Sequence, residues 1–239
     1  MNFKFFAVIA ACLSLLQIGC ASKGFNRGEL RAQTGVVKPA DDKEIAAALS
    51  KKPNLPKPFK VAVYFKRPAA GGHNNPWAQS RSWTWDEQDK ELLVDIAKDL
   101  KATGVVADVF PILDSFVTSE DLKALRLVAA QHGADALLLI GGAGTIDRYV
   151  NNWALSYVLV VPTLFVKGSE ADTLFVTNAV MYDVRNEYLY FATEAESQTN
   201  EKYSPVSSRS DKEILNEAKR ASLLKLKVGI KDMVAGKKI

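Results

Sequence analysis

His132-Gly133-Ala134-Asp135-Ala136-Leu137-Leu138-Leu139-Ile140-Gly141-Gly142, HGADALLLIGG, holds five consecutive apolar residues, Ala136 to Ile140, between an aspartate and a pair of glycines. With no polar position to turn toward water, the run reads as a central strand covered by helices on both faces. Working back from it, Thr118 or Ser119 is placed to cap a helix that carries Leu122, Leu125 and Ala129 and stops at Gly133. Val105 to Leu113 reads as a strand weakened near its end by Pro111. Before it, Thr84-Trp85-Asp86-Glu87 has the spacing of a capping box, and Leu93, Ile96, Ala97 and Leu100 recur at helical intervals until Gly104. FKVAVYFK, Phe59 to Lys66, alternates Phe59, Val61, Val63 and Phe65 with Lys60, Ala62, Tyr64 and Lys66, the period-two pattern of a strand with one strongly apolar face. The order is strand, helix, strand, helix, strand.

Downstream the pattern changes. Asp172 to Val184 and Tyr188 to Ser197 alternate across Arg185-Asn186-Glu187 as an antiparallel hairpin. From Asp211 a helix sets Leu223, Leu226, Ile230 and Met233 on one stripe, with Lys219, Lys225, Lys227 and Lys231 around it. The fold class is α/β: a mixed sheet of about five or six strands, βαβαβ followed by an antiparallel hairpin and a C-terminal helix. Gly141, Gly142 and Gly144 follow a strand, but they match neither GxGxxG nor GxxxxGK[ST]. They are expected to form a bend or bulge near the sheet edge.

At the amino end, Lys4 precedes an apolar run from Phe5 to Leu16, and Gly19, Cys20, Ala21 and Ser22 follow. That is the layout of an export signal, and about 18 Å of helix is short of the roughly 30 Å needed to span a bilayer. Leu16-Gln17-Ile18-Gly19-Cys20 resembles the lipobox of bacterial lipoproteins, in which the cysteine is acylated and becomes the mature amino terminus. Gln17 stands where that pattern usually has leucine, and ordinary cleavage after Ala21 is the alternative. The resemblance implies lipidation at Cys20 and a membrane anchor, and Ala21 in place of an aspartate favours outer-membrane sorting. Residues 1–19 are then a lipoprotein signal peptide, 20–58 a proline-interrupted flexible tether with a short helix at Asp41 to Leu49, and 59–239 a single α/β periplasmic domain. Cys12, the other of the two cysteines, leaves with the signal, so no disulfide framework remains. A net charge of +4 gives no ground for nucleic-acid binding.

FKVAVYFK, TSEDLKAL leading into HGADALLLIGG, and VMYDVRNEYLYFATEAES together resemble a periplasmic domain shared by the curli secretion lipoprotein, the amino-terminal domain of the Tol-system propeller protein and small outer-membrane lipoproteins. The combination is most similar to the rhombotarget lipoprotein family, whose name records an association with a rhomboid-type protease. The resemblance implies an anchored envelope component and no particular activity.

Catalytic signals are sparse. His73 and His132 are the only histidines, and neither lies in HExxH or beside a cysteine pair. His132 sits where a helix end would use it as a cap or packing group, and His73 reads as a solvated turn residue. No GxSxG elbow occurs, and Glu194 and Glu196 read as a solvated strand face. No metal or cofactor is expected. Two stretches point to binding. The loop from Pro68 to Trp85 gathers Trp77, Trp83 and Trp85 with Arg81, a set suited to glycan stacking or a protein contact, or to covering the sheet edge. Trp153 to Val166, WALSYVLVVPTLFV, has no charge and fits core burial, a contact between copies of the chain, or a membrane-contacting hairpin. The leading expectation is a non-enzymatic, lipid-anchored binding or assembly component of the outer membrane, facing the periplasm, with an envelope protein or glycan as partner and a homo-oligomer compatible with it. An envelope hydrolase acting on peptidoglycan or peptide, and a subunit of an oligomeric secretion pore, are the alternatives.

Overall fold

The computed structural model describes residues 24–34, 41–68, 83–151, 167–204, 206–207 and 209–236. Two helices, α1 (Arg27–Thr34) and α2 (Asp42–Ser50), precede β1 (Phe59–Phe65), α3 (Glu87–Ala102), β2 (Val106–Pro111), α4 (Leu122–Gln131), β3 (Ala136–Val150), β4 (Ser169–Asp183), β5 (Leu189–Tyr203) and α5 (Asp211–Val234). The strands form one five-stranded sheet in the order β2-β1-β3-β4-β5. Strand β1 runs parallel to β2 and β3, while β3, β4 and β5 run antiparallel in succession. This is the α/β arrangement read from the sequence, with the hairpin and C-terminal helix in place. No helix among the described residues is long and apolar enough to cross a membrane.

The sheet is covered on both faces. Helices α3 and α5 bury Ile96, Leu100, Leu223, Leu226 and Ile230 against Val61, Val63, Leu138, Ile140 and Met181. On the other face α4 packs Leu125, Val128 and Ala129 against Ala62, Tyr64 and Leu137. Strand β1 is therefore covered on both faces beyond the exposed Lys60 at its start: Ala62 and Tyr64, outside the strongly apolar face, are fully buried. The reason is position, since a strand with a parallel neighbour on each side receives crossover helices on both faces.

Four helix starts are capped by carboxylates or hydroxyls, and Asp41 with Glu44 forms the capping box of α2. Asp86 rather than Thr84 caps α3, with Asp89 completing the box. Asp121 rather than Thr118 or Ser119 caps α4, and Ser119 donates its hydroxyl to Asp121. Ser210 caps α5 and Glu213 completes its box. In α3 and α4, an Asp two or three residues closer to the helix displaces the upstream hydroxyl, being as good a cap and better placed.

Helix α5 corrects a second expectation. Lys219 is not on the solvated rim of the stripe but 1% exposed, its ammonium 2.5 Å from Asp89 and 3.2 Å from Asp86. Around Leu30, α1 buries a small cluster with Ala143, Leu174 and Val176 on the face shared with α4. Arg31 and Arg27 reach Glu194 and Glu196 at 2.7 and 3.4 Å, so these two glutamates carry ion pairs as well as solvent. Such half-exposed pairs contribute little, about 0–1 kcal/mol each; the apolar contact of Leu30 holds the helix. Farther along, Asn54 donates its backbone N–H to the Tyr190 hydroxyl and Leu55 packs on the main core.

Candidate functional site

Because β1 lies between β2 and β3, the chain leaving β1 crosses to one side and the chain leaving β2 crosses back to the other. In open α/β sheets, that reversal opens a crevice at the carboxyl ends of the strands, where ligands bind. The segment that leaves β1 there is the one rich in tryptophan.

Its two ends are fixed. The Trp85 indole N–H donates to the Lys66 carbonyl at 2.8 Å, joining the end of the segment to its beginning. The Trp85 ring meets Phe65 at 4.9 Å, and Trp83 stands edge-on to Trp85 at 4.7 Å and to Phe175 at 4.9 Å. Both indoles rest on Gly142. A Cβ there would lie 2.9 Å from the Phe175 ring, 3.1 Å from Trp85 and 3.2 Å from Trp83. At Gly144 a Cβ would lie 2.5 Å from Phe175 and 2.8 Å from Leu215. The glycines thus correct the expected bend or bulge: β3 runs straight through them, pairing Gly141, Gly142 and Gly144 with Asn178, Thr177 and Phe175 in unbroken register. Gly142 and Gly144 are small because aromatic rings occupy the space that side chains would take, and Gly141, on the opposite face, because the Asn178 side chain lies where its Cβ would be.

At the beginning of the segment, Glu120 accepts from the Tyr64 hydroxyl at 2.7 Å and from the Arg67 backbone N–H at 2.8 Å. The Arg67 guanidinium also donates to the Asp114 and Val117 carbonyls, both at 3.3 Å. Burial, reinforced by the hydrogen bond to Glu120, pushes the Tyr64 phenol far above its ordinary range. It stays a neutral donor across physiological pH and ties β1 to the turn after β2. Residues 69–82, which include Trp77, Arg81 and His73, lie outside the described residues, as do Cys20 and Trp153 to Val166. Of the residues singled out for partner binding, the structure brings Trp83 and Trp85 together on the core. His132 caps α4, its Nδ1 2.8 Å from the Val128 carbonyl, and stacks on Phe110 at 5.8 Å. No group of three or more metal-ligating side chains occurs among the described residues.

A polar cluster that the sequence reading missed sits at the far end of β3, β4 and β5. The Tyr149 hydroxyl lies 3.1 Å from both Glu170 and Asp172; Asn151 donates to Glu170 at 2.8 Å and Asn200 to Asp172 at 2.6 Å. The signal was available as Tyr149-x-Asn151, Glu170-x-Asp172 and Asn200-x-Lys202, three alternations that register on one face. It closes the base of the hairpin from which residues 152–166 depart, where the Asn151 backbone N–H also donates to the Gly168 carbonyl at 2.8 Å. Burial, with the two carboxylates, pushes the Tyr149 phenol up to about 12. The Asn151 amide holds the Glu170 carboxyl below its usual range, against the opposing effect of burial. A depressed carboxyl stabilises the fold above its unfolded pKa, about 4.3, and that contribution is lost as pH falls through the lower folded value. Urea midpoints recorded from neutral to acid pH should therefore fall less steeply for Glu170→Gln than for the wild type; identical acid limbs would refute this.

No family model matches the chain, and no curated protein sequence matches it. Solved structures do resemble it at low identity. A candidate neuraminyllactose-binding hemagglutinin homologue from Helicobacter pylori aligns at 12% identity over 77% of this chain and 87% of its own, with a TM-score of 0.41. A minor lipoprotein from Acinetobacter baumannii aligns at 12% identity over 77% and 96%, with a TM-score of 0.35. A lipoprotein from Neisseria meningitidis aligns at 16% identity over 71% and 98%, with a TM-score of 0.32.

Proposed function

We propose that this chain is a non-enzymatic binding or assembly component of a bacterial envelope, held by acyl chains on Cys20 at the outer membrane and facing the periplasm. Its binding element is the loop 69–82, which carries Trp77 and Arg81. The observation that supports this reading is the closed base of that loop: Trp85 donates across to Lys66, and Arg67 is fixed by Glu120. A loop with both ends fixed loses less freedom on meeting a partner, which favours affinity. Its tryptophan and arginine are the residue types that dominate interface energetics. Two or more acyl chains anchor a protein stably without a spanning helix.

Two measurements test the proposal. Palmitate labelling should follow the wild type and vanish in Cys20→Ser, with the variant released from the membrane; equal labelling would refute the anchor. In-cell crosslinking should show one envelope partner whose yield drops in Trp77→Ala, in line with a loss of at least about 2 kcal/mol at a hot spot. An unchanged yield would remove the loop from the binding surface.

A further inference from the structure

On the side of the sheet covered by α3, the edge strand β2 is left partly bare, and a groove of about 390 Å³ runs between the two. That is within the range of small-ligand sites, roughly 300–1,000 Å³. Val94 and Ala97 of α3 form one wall, and Val109, Pro111 and Leu113 the other. Val94 is 62% exposed and Leu113 57%, a concentration of apolar surface left to water. We infer that this groove binds a single anionic amphiphile, an acyl chain ending in a carboxylate or phosphate.

The charge of the occupant follows from how α3 divides its own. Its acidic flank faces α5 and is matched there: Asp86 and Asp89 meet Lys219, Asp95 and Asp99 meet Lys227, and Asp99 also meets Lys231. Its basic flank faces the groove. Lys90, Val94, Lys98 and Lys101 recur at four-, four- and three-residue intervals along one stripe with Ala97 beside it, and all five line the groove. Lys101 pairs with Asp108 at 2.6 Å, whereas Lys90 and Lys98 make no ion pair among the described residues. Asp114 is the one carboxylate against three lysines in the lining, so the groove is apolar inside and positive at its rim. A ligand that satisfies both features carries a hydrocarbon chain and an anionic head.

The edge strand itself argues against a peptide. Strand addition needs free backbone donors along the edge. Here the Val109 N–H is taken by Asp108 Oδ1 at 2.9 Å, and Pro111 has none. A hydrocarbon chain needs no such ladder.

The test uses the purified Cys20→Ser chain, which carries no acyl groups of its own, titrated with dansyl-labelled undecanoic acid below its aggregation concentration. Dansyl emission should rise saturably. Lys90→Glu combined with Lys98→Glu should weaken binding about tenfold or more, and so should replacing the acid by the matching dansyl alcohol, one decade of affinity being the scale of a single charge-assisted contact. Ala97→Phe, which fills the groove, should abolish binding. Urea midpoints establish that each variant is folded, and the paired lysine replacement, lying on the surface, keeps the test decisive if Ala97→Phe is not. No saturable binding, equal affinity for acid and alcohol, or binding indifferent to the lysines would overturn the inference. Co-sedimentation with anionic phospholipid vesicles in the absence of monomer binding would also overturn it, making the face a bilayer contact.

Discussion

Replacing Lys219 by methionine is expected to lower the unfolding free energy by about 3–5 kcal/mol, the cost of removing one partner from a buried ion pair. The ammonium is 1% exposed and donates to the Thr84 carbonyl at 2.8 Å, while Asp89, 2.5 Å away, has a side chain only 3% exposed. Without the lysine, the Asp89 carboxylate stays in the core with no counter-charge. Burial already holds its pKa above the ordinary value, and loss of Lys219 removes the interactions that oppose that rise. A carboxyl with a raised folded pKa is stabilising below its unfolded pKa and costs stability as pH climbs through the folded value. The deficit of Lys219→Met should therefore be largest at neutral pH and shrink on acidification, as Asp89 takes up a proton. Adding Asp89→Leu should recover most of the loss, because the pair is then replaced by packing apolar groups. About 1 kcal/mol should remain, since Asp89 also accepts the Asp86 N–H that completes the cap of α3. Chemical denaturation of the wild type and the two variants at two pH values measures each step. A near-neutral Lys219→Met would show that water reaches the site.

This pair also bears on the binding loop. Lys219 grips Thr84, Asp86 and Asp89 together, so α5 holds the segment between the tryptophans and the start of α3. Nothing in the local sequence announces it. The helical stripe from Asp211 was legible because Leu223, Leu226 and Ile230 repeat at the helical period. Lys219, however, lies on a face whose burial depends on where α3 lands, and that is settled by tertiary packing. The same limit applies to β1. Its alternation is plain in FKVAVYFK, yet the burial of Ala62 and Tyr64 follows from its central place in the sheet, which period alone does not encode. Strand existence was legible from Phe59, Ala136 and the hairpin around Asn186; strand length was not, because Gly141, Gly142 and Gly144 read locally as an interruption. For the candidate site, the sequence marked the tryptophans but not their seat, since the Phe175 ring lies more than thirty residues from Gly142 along the chain.

That seat gives the second large effect. Phe175 is fully buried in β4, facing Gly142 and Gly144 across the β3 ladder and touching Trp83 and Leu215. Phe175→Ala should cost about 3–5 kcal/mol, the range for emptying the site of a buried large aromatic. Gly144→Ala should cost about 1–3 kcal/mol for the opposite reason, because a methyl 2.5 Å from a ring with no free space around it forces the ring or the strand to shift. If the glycine exists to admit the ring, the two positions are coupled. Phe175→Leu combined with Gly144→Ala should then be more stable than the sum of the single losses predicts, by about 0.5–3 kcal/mol, since the smaller side chain leaves room for the methyl. Strict additivity in that double-mutant cycle would mean that Gly144 is required by the strand backbone itself. In that case the tryptophans would be resting on a surface formed for another reason, and the base of the 69–82 loop would be fixed by Lys66, Glu120 and Lys219.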